Sequence, residues 1–438
     1  MEIELLVIPE WVITVNSRNQ VLHHHAVAVD DSRIVDILPM SEAEKRYRPR
    51  QTVVLAQQAL LPGLVNAHTH AAMALLKGLA DDLPLMEWLQ NHIWPAESRW
   101  ADAQFVYDGS RLAIAEMIRS GTTCFNDMYF FPEQTAKAVQ EAGIRACIGL
   151  IVIDFPTAWG TGPEDYLQKG LALHDQVADD PLLTTAFAPH APYTVSDDPL
   201  KQVSHLACEM DMPIHMHVHE TAFEVQQALA QHDAVPLARL DNLGLLDKHF
   251  LAVHMTQLTD EEIALLAEKG THVIHCPESN LKLASGFCPV AKLLAAGVNV
   301  ALGTDGNASN NDLDMLGEMR TAALIAKAVA HDASVVSAAQ ALRMATINGA
   351  TALGLADTIG SLEIGKAADM IAVDLSALET QPLYDPVSQI VYCANRNQVT
   401  HTWVAGKALM TQRELTTLNI TELLATAQAW QQKIGATS

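Results

Sequence analysis

Residues 60 to 70 read LLPGLVNAHTH, an apolar run that ends in two histidines, His68 and His70. A short apolar run of this kind is typical of a strand that is buried on both faces. Side chains two positions apart on a strand point to the same side, so both imidazoles would face one point at the strand's end. Taken alone, the pair fits two hydrogen-bonded core histidines as well as two ligands of one metal ion.

Seven similar runs follow, separated by longer segments with helical periodicity. They are GTTCFNDM (121–128), RACIGLIVI (145–153), LTTAFAPH (183–190), PIHMHVHE (213–220), FLAVHMT (250–256), THVIHCP (271–277) and NVALGTD (299–305). Strands that alternate with helices in this way predict an α/β protein built on a parallel (β/α)8 TIM barrel. Histidine or aspartate lies at or near the end of most of the runs. Because the carboxyl ends of barrel strands build the active site, we expect these side chains to share one pocket.

The two ends of the chain show a different pattern, short alternating strands with turn residues between them. Examples are WVITV near the start and HTWVAGKALMT near the end. We predict that residues 1–57 and 357–438 pair into one small composite β-sandwich domain beside a barrel domain of residues 58–356. A terminal amphipathic helix is expected over 420–434.

The composition argues against several classes of partner. The 438 residues include 27 Lys and Arg against 51 Asp and Glu, a formal net charge of −24, with no basic run. Nucleic acid and anionic membranes are therefore not expected as partners. No apolar run approaches the roughly 18 residues that span a bilayer, and the acidic start MEIELLVIPE lacks the positive region of a signal peptide. A cytoplasmic location is expected.

Two other groups of residues with metal-binding chemistry are expected to hold no metal. The six cysteines are scattered, which fits reduced structural thiols better than a disulfide framework or a thiolate cage. The tract His23, His24 and His25 is expected to be solvated surface, because three adjacent residues of a strand cannot all face one ion.

Polar residues at other strand ends extend the first histidine pair into a metal-site prediction. The fifth run places His215, His217 and His219 on one face, the sixth ends near His254, and the eighth ends at Asp305. Two histidines from the first strand, one from the fifth and the aspartate of the eighth form a set suited to zinc or iron(II), with room for a water. Periodicity does not decide which histidine of the fifth run is the ligand.

This arrangement resembles the amidohydrolase superfamily, whose members carry HxH after strand 1, His after strands 5 and 6, and Asp after strand 8 of such a barrel. Within it the chain is similar to the cytosine deaminase-like branch, and there to the 5'-methylthioadenosine/S-adenosylhomocysteine deaminase family. The matching text is PGLVNAHTHAAMALLKGLADDLPLMEWL, GTTCFNDMYF, APHAPYT, HVHE, CPESNLKLASG and LGTDGNASNNDLDML. The resemblance spans nearly the whole chain and implies a zinc-dependent hydrolase that removes the amino group at C6 of a purine nucleoside.

The resemblance also implies the metal ligands. His217 with Glu220 matches the family pattern His-x-x-Glu, so His217 is the implied ligand of strand 5. One Zn²⁺ per subunit, with Fe²⁺ as the alternative, would be held by His68, His70, His217 and Asp305. A single ion is implied because strand 4 ends in His190, where binuclear members carry a lysine.

Deamination needs an activated water, a proton donor for the ring and a proton carrier for the leaving amine. The resemblance implies that Glu220 protonates N1, Asp305 carries the proton from water to the amine, and His254 orients the water. Outside this context Glu220 would be a solvated loop carboxylate and His254 a core histidine. Asn126 and Asp127, which end strand 2, are expected to hydrogen-bond neighbouring imidazoles.

The long segment 71–100 is expected to form a lid on the pocket. Trp88 and Glu97 fall where the resembling deaminases pack the substrate and hydrogen-bond the ribose hydroxyls, and His190 would meet the purine or ribose. The alternatives for Trp88 and Glu97 are ordinary helix packing and a surface carboxylate.

The region after strand 3 bears on substrate preference. Relatives that accept S-adenosylhomocysteine hold its amino-acid carboxylate with arginines there, whereas this chain has no Arg or Lys between Ile151 and Gln168, and Arg145 sits too early in the strand. Methylthioadenosine or adenosine is therefore expected to be preferred. Phe155 and Trp159 are expected to receive the methylthio group.

Two rival functions are compatible with the same motifs. One is another deaminase or a chlorohydrolase of the same branch, acting on guanine, 8-oxoguanine, cytosine or an s-triazine. The other is a non-catalytic binding barrel, which would carry a broken metal set, whereas the set here is complete. A homo-oligomer is expected, since barrels with a large apolar surface often self-associate.

Overall fold

The computed structural model describes residues 1–436. The strands are β1 (Glu2–Ile13), β2 (Val21–His23), β3 (His25–Asp30), β4 (Arg33–Pro39), β5 (Arg48–Pro62), β6 (Leu64–Thr69), β7 (Thr122–Asp127), β8 (Arg145–Val152), β9 (Leu183–Pro189), β10 (Ile214–Val218), β11 (Phe250–His254), β12 (His272–His275), β13 (Val300–Leu302), β14 (Met370–Asp374), β15 (Val399–Val404), β16 (Lys407–Thr411) and β17 (Glu414–Leu415). Among the described residues, no helix has the length and apolar character needed to cross a membrane.

The helices lie mainly between the strands β6 to β14. They are α1 (Met40–Arg46), α2 (Leu85–Trp88), α3 (Trp94–Trp100), α4 (Ala103–Ser120), α5 (Pro132–Ala142), α6 (Pro163–Val177), α7 (Asp197–Met210), α8 (Ala222–His232), α9 (Pro236–Asn242), α10 (Asp260–Lys269), α11 (Pro277–Lys282), α12 (Val290–Ala295), α13 (Asn307–Asn310), α14 (Met315–Ala330), α15 (Ala338–Met344), α16 (Ile347–Ala352), α17 (Pro386–Tyr392) and α18 (Ile420–Gly435). Short 3-10 helices cover Ala71–Leu76, Leu378–Thr380 and Arg396–Gln398, and a π-helical turn covers Leu89–Ile93.

The eight strands β6 to β13 form one parallel sheet in which each strand pairs with the next along the chain. The first and last strands meet where the backbone N–H of Asp305 donates to the carbonyl of His68 at 3.0 Å. Gly303 permits this approach, because a Cβ there would lie 2.8 Å from the backbone nitrogen of His68. The predicted TIM-like barrel is confirmed, and its carboxyl end carries the polar residues of the sequence motifs.

The helix α4 illustrates why the segments between the strands are helical. Asp102 caps its first turn by accepting the backbone N–H of Phe105 at 2.8 Å, and Gly121 ends it with φ of 93°. Its apolar face, which includes Ile114 and Ile118, is buried against the barrel. The helix therefore covers one side of the strands, as the sequence pattern predicts.

The N- and C-terminal segments together build a second, nine-stranded sheet, in the order β17-β16-β15-β14-β5-β1-β3-β4 with β2 paired to β1. The two segments join where β5 and β14 run antiparallel, with Leu60 opposite Ala372. Residues from both segments share one core, among them Val27 and Trp403. The predicted separate sheet from both chain ends is confirmed. The domain limits at 57/58 and 356/357 stay a prediction; β5 continues in this sheet to Pro62.

Two contacts tie the second sheet and the terminal helix to the barrel. Arg145, at the amino-terminal end of β8, pairs with Asp369 through its Nε at 2.9 Å, and both side chains are buried. This places Arg145 at the opposite end of its strand from the pocket, as predicted. The terminal helix α18 packs on α4, where Trp430 meets Phe105 edge to face and donates its indole N–H to Asp108 at 2.9 Å.

Candidate active site

Four side chains from three barrel strands converge at the carboxyl end of the barrel. The Nε2 atoms of His68 and His217 lie 3.2 Å apart. Oδ1 of Asp305 lies 3.3 Å from Nε2 of His68 and 3.3 Å from Nε2 of His70. The four predicted ligands therefore lie next to one another, with His68 in contact with both His217 and Asp305, and all four side chains are largely shielded from solvent.

The hydrogen bonds behind these imidazoles leave their inner nitrogens free to bind a metal. Nδ1 of His70 donates to the carbonyl of Met128 at 2.6 Å, and Nδ1 of His217 donates to the carbonyl of His190 at 2.7 Å. Since a carbonyl only accepts, each ring carries its proton on Nδ1 and presents the lone pair of Nε2 to the cluster. Burial lowers the pKa of His68 and of His217, which favours neutral rings. Burial also acts to lower the pKa of His70, but the hydrogen bond and the charge of Asp305 raise it to about 9, so a metal ion held here would displace a proton from this ring. Imidazole nitrogens of this tautomer with one carboxylate oxygen fit a zinc site.

The three histidines of the fifth run have three different positions. His217 faces the cluster, whereas His215 lies behind it, with its Nε2 2.8 Å from Nδ1 of His68. His219 follows the end of β10 with φ of 53°, and its Nδ1 donates to the carbonyl of Gln257 at 2.6 Å. The expectation that all three share one face is wrong for His219, because the left-handed backbone at this position breaks the alternation of the strand.

Asn126 and Asp127 fix the backbone at the end of β6 and not the imidazoles. Asp127 accepts the hydroxyl of Thr69 at 2.9 Å and the backbone N–H of Ala71 at 2.7 Å. Asn126 donates to the carbonyl of Ala67 at 3.0 Å. The expectation that they hydrogen-bond neighbouring imidazoles is wrong, because the carboxylate of Asp127 and the amide nitrogen of Asn126 bond to the chain around His68 and His70 instead.

Both oxygens of Asp305 are held in place. Oδ1 accepts the backbone N–H of Gly306 at 2.8 Å, and Oδ2 accepts the hydroxyl of Ser279 at 2.7 Å. Burial opposes ionisation of Asp305, but its contacts with His68 and His70 hold its pKa well below the ordinary value. Asp305 is therefore an ionised carboxylate with one oxygen turned to the histidines and the other to Ser279.

His254 is a neutral imidazole whose proton points into the site. The amide nitrogen of Asn280 lies 3.0 Å from Nδ1 of His254, so Nδ1 accepts and the ring proton is on Nε2. That Nε2 lies 3.8 Å from Oε2 of Glu220 and 4.0 Å from Oδ2 of Asp305. Burial lowers the pKa of His254 to about 3. His254 can donate a hydrogen bond to an oxygen placed between these carboxyl groups.

Glu220 is a buried carboxyl group beside the metal-ligand cluster. Burial, the carboxylate of Asp305 and that of Glu224 raise the pKa of Glu220 well above its ordinary value. The hydroxyl of Ser285 donates to Oε1 at 3.4 Å. Glu220 is therefore suited to carry a proton at neutral pH and to give it to a basic atom.

Glu224 holds the loop that carries Glu220. Its two carboxylate oxygens accept consecutive backbone N–H groups, that of His219 at 3.0 Å and that of Glu220 at 2.7 Å. The side chain is buried, and burial raises the pKa of Glu224 to about 7. This contact fixes where the chain leaves β10.

A cavity of about 430 Å³ lies above the cluster. Its floor contains His70 and His217 with Glu220 and His254, and its wall is mainly apolar, with Leu85, Leu89, Ile93, Phe155 and Leu283. None of the lining residues, all within the described part of the chain, is Arg or Lys. The cavity is large enough for a small molecule of nucleoside size and offers no cation to an anionic group.

The predicted substrate contacts fall at the cavity, with one exception described below. Trp88 and Glu97 come from the segment 71–100 that covers the pocket, and His190 lines it from the end of β9. The indole N–H of Trp88 donates to the carbonyl of Ala80 at 3.1 Å, which fixes its ring. Burial raises the pKa of Glu97 to about 7. Burial also lowers the pKa of His190 to about 3, so its ring is neutral.

Trp159 does not line the cavity, contrary to the sequence prediction. Its ring packs against Tyr166 with the centroids 5.6 Å apart, and its indole N–H donates to Glu133 at 3.1 Å. The chain turns after Phe155, so residues 155–158 border the cavity and Trp159 is directed back onto the helix layer. Phe155 lines the cavity, and its contact with the methylthio group stays a prediction.

Sequence reasoning missed three residues that support the site. Asn280 contacts the imidazole of His254, Ser279 contacts Asp305, and Glu224 contacts the loop of Glu220. His215, one of the three candidates of the fifth run, contacts the imidazole of His68. The signal that could have found Glu224 is its four-residue spacing from Glu220.

The site geometry agrees with a family match that covers most of the sequence. Residues 59–409 match the Amidohydrolase family. The chain belongs to the amidohydrolase family. A curated relative of this amidohydrolase is the 5-methylthioadenosine/S-adenosylhomocysteine deaminase of Saccharophagus degradans, 52% identical over 99% of this chain and 97% of the relative.

Solved structures agree with this assignment. The zinc-bound crystal structure of an adenosine deaminase from Xanthomonas campestris superposes on the amidohydrolase with a TM-score of 0.98, at 54% identity over 100% of this chain and 99% of that chain. Atrazine chlorohydrolase TrzN of Arthrobacter aurescens TC1, complexed with zinc, shares the fold with a TM-score of 0.90 at 22% identity, over 97% and 99% of the two chains. The family, the zinc-bound neighbour and the clustered ligands support a metal cofactor.

Proposed function

We propose that this amidohydrolase hydrolyses the amino group at C6 of 5'-methylthioadenosine and adenosine, and of S-adenosylhomocysteine more weakly, to give the inosine analogue and ammonia. The observation that carries the proposal is the buried Glu220 beside the candidate ligand cluster, with its Oε2 3.8 Å from Nε2 of His254, on the floor of a nucleoside-sized cavity. The names of the relatives, methylthioadenosine/S-adenosylhomocysteine deaminase and adenosine deaminase, support the same substrate class.

We assign one Zn²⁺ per subunit, with Fe²⁺ as the alternative, to His68, His70, His217 and Asp305. A bound ion would supply Lewis-acid chemistry, which makes water nucleophilic at neutral pH. The neutral Nε2 lone pairs and the ionised Asp305 are the donors such an ion requires.

The ring is activated by Glu220. Attack at C6 places negative charge on the purine, and a proton delivered to N1 neutralises it. The pKa of Glu220 is raised well above the ordinary value, so the side chain holds that proton before the attack. Its position on the cavity floor lets it reach a ring nitrogen while C6 faces the ligand cluster.

Asp305 and His254 act on the attacking water and on the leaving amine. The ionised Asp305 accepts a proton from the attacking water and transfers it to the amine, which leaves as ammonia, and the proton that remains on the oxygen at C6 returns to Glu220 as the carbonyl forms. The hydroxyl of Ser279 occupies one side of Oδ2 and limits the directions from which this oxygen takes the proton. His254 donates the proton on Nε2 as a hydrogen bond to the oxygen that adds at C6.

The cavity wall favours an uncharged 5' group. Trp88 packs on the substrate, Glu97 accepts the ribose hydroxyls, and His190 contacts the purine or ribose. Phe155 and its apolar neighbours receive the methylthio group, while the lining offers no Arg or Lys to a carboxylate. A free carboxylate at the 5' end would find no cation in this lining, in a protein of net charge −24, so S-adenosylhomocysteine is the weaker substrate.

The cellular setting is part of the proposal. The six cysteines form no disulfide among the described residues, which fits a reducing cytoplasm. Phe223 and Phe287 each expose 54% of their surface, and a homo-oligomeric contact would cover such side chains. Light scattering on the purified chain measures its oligomeric state.

A substrate panel tests the proposal. The zinc-loaded protein is mixed separately with methylthioadenosine, adenosine, S-adenosylhomocysteine and guanine, and the absorbance change of the purine is followed together with ammonia release. We expect rapid turnover of methylthioadenosine and slower turnover of S-adenosylhomocysteine. Turnover of guanine with none of the adenosines would replace the proposal with a different deaminase of the same branch. A failure to turn over any substrate despite stoichiometric zinc would favour a non-catalytic barrel.

A further inference from the structure

A second group of metal-binding side chains lies on the nine-stranded sheet, outside the barrel. Oε1 of Glu10, in β1, lies 2.7 Å from Nε2 of His23 and 3.8 Å from Nδ1 of His24. One ligand atom from each of the three residues lies within 4.8 Å of the others. Separations near 3 to 3.5 Å are those of ligands that sit about 2.1 Å from one ion, so small side-chain adjustments bring all three onto it.

The backbone explains how two adjacent histidines face one point. His24 lies between β2 and β3 and has φ of 55°, a left-handed conformation that breaks the alternation of a strand. Its N–H donates to the carbonyl of Glu10 at 3.1 Å, which holds this turn against β1. The imidazoles of His23 and His24 consequently lie side by side, with their centroids 3.7 Å apart and their planes inclined by 53°. The expectation that adjacent residues of this tract cannot face one ion does not apply at this turn.

His25 is not a member of the group. It begins β3, and its Nδ1 contacts the carbonyl of His23 at 2.9 Å. The group therefore contains three of the four candidate side chains in the region. His25, which lies next to the group, is the control position in the experiment below.

We propose that Glu10, His23 and His24 form a second divalent metal site, distinct from the barrel centre and selective for a transition metal such as Ni²⁺, Cu²⁺ or Zn²⁺. Two imidazoles and one carboxylate are ligands of this class, whereas Mg²⁺ and Ca²⁺ require mainly oxygen. The side chains of His23 and His24 are 52% and 62% exposed, which leaves space for water to complete the coordination. The bound ion would connect β1 to the turn between β2 and β3.

Nearby Trp11 provides an optical readout of this site. Its ring centroid lies 6.0 Å from that of His23. Ni²⁺ is paramagnetic and quenches a fluorophore at this separation, so binding to the group should reduce the emission of Trp11. The variant Trp11→Phe reports how much of the quenching comes from this residue.

The test uses the holoenzyme with its barrel site filled by Zn²⁺, titrated with Ni²⁺ by calorimetry and by fluorescence. We expect one further equivalent of Ni²⁺ to bind with quenching that Trp11→Phe removes. His23→Gln and Glu10→Gln should each weaken this binding by about tenfold or more, because each loses one ligand. His25→Gln should bind Ni²⁺ as the parent does.

Three results would overturn the proposal. The first is no further equivalent of Ni²⁺, which would leave His23 and Glu10 as a hydrogen-bonded surface pair. The second is an equal loss in His25→Gln, which would indicate binding by the histidine tract without the observed geometry. The third is binding that persists in both His23→Gln and Glu10→Gln. Circular dichroism of each variant checks that the sheet is intact, and the positions are exposed enough for the substitutions to be tolerated.

Discussion

The carboxylate of Glu224 accepts the backbone N–H of Glu220 at 2.7 Å, so one buried acid positions another. The second oxygen of Glu224 accepts the N–H of His219 at 3.0 Å. These two bonds hold the chain immediately after the strand that carries His217. The proton donor of the proposed reaction is thus placed by a residue on the first turn of α8, which does not line the cavity.

Replacing Glu224 with Gln should reduce activity without removing the metal. An amide keeps one acceptor oxygen but turns its NH₂ group toward a backbone N–H, so the loop of Glu220 shifts. We expect kcat to fall by about tenfold or more and the free energy of unfolding to fall by about 1–3 kcal/mol. Steady-state kinetics, zinc analysis and urea denaturation measure these effects. Glu261→Gln, at an exposed position, is the control; an equal loss there would contradict a specific role for Glu224.

The pH dependence of stability should also report Glu224. Burial raises the folded-state pKa of Glu224 to about 7, above the unfolded value, so the folded protein binds the proton more tightly. The contribution of this group to stability is therefore full below the unfolded pKa and is lost as pH rises through about 7. We expect urea denaturation between pH 5 and pH 8, taken as about the range of this titration, to show a smaller decline in Glu224→Gln than in the parent. A parallel decline in both proteins would show that the pKa of Glu224 is not raised.

Glu220→Gln removes the proposed proton donor and leaves the ligand set intact. We expect kcat to fall by about 10²–10⁴-fold, the usual range for loss of a general acid, with zinc content unchanged. In the parent, kcat should fall as pH rises through the raised pKa of Glu220, because only the protonated form donates. Pre-steady-state absorbance and metal analysis test both points. A variant with near-parental kcat would assign the proton to another group.

His215 should control metal affinity through His68. Its Nε2 lies 2.8 Å from Nδ1 of His68, and such partners of a ligand imidazole fix its orientation. We expect His215→Asn to weaken zinc binding by about 10–100-fold in chelator competition. The exposed His205→Asn serves as the control. Unchanged zinc affinity in His215→Asn would show that packing alone orients His68.

Phe155→Arg should shift preference toward S-adenosylhomocysteine. Phe155 is 43% exposed at the edge of a cavity that has no cation in its lining, so an arginine there can meet the amino-acid carboxylate. We expect kcat/KM for S-adenosylhomocysteine relative to methylthioadenosine to rise by about tenfold, which corresponds to one charged hydrogen bond. Trp159→Phe, outside the lining, should leave this ratio unchanged. A change in the ratio for Trp159→Phe would return that residue to the substrate site.

The barrel and the central ligands could be predicted because their signals are local and repeated. His68 and His70 follow from the two-residue period of a strand, and the carboxyl ends of parallel strands meet whatever the loops do. His219 and Trp159 could not be placed in this way. A positive φ rotates His219 out of the strand pattern. A turn after Phe155 directs Trp159 away from the cavity and onto Tyr166.

The supporting contacts required the three-dimensional structure. Ser279 reaches Asp305, and Asn280 reaches His254, across a sequence distance that no periodic pattern encodes. Glu224 and Glu220 are four residues apart, but their contact runs from a side chain to a backbone N–H. Patterns of hydrophobicity predict which face of a helix or strand is buried, but they do not predict these hydrogen bonds.

The pairing of Leu60 in β5 with Ala372 in β14 means that the second sheet is completed late during synthesis of the chain. The strand β5 emerges from the ribosome about 300 residues before its partner β14, so one of its edges has no hydrogen-bonding neighbour while the barrel is being made. An unpaired strand edge is a site of aggregation, and here it directly precedes β6. The strand that leads directly into His68 is therefore paired with β1 on one edge early in synthesis, and its other edge is covered only once β14, near the end of the chain, has been translated.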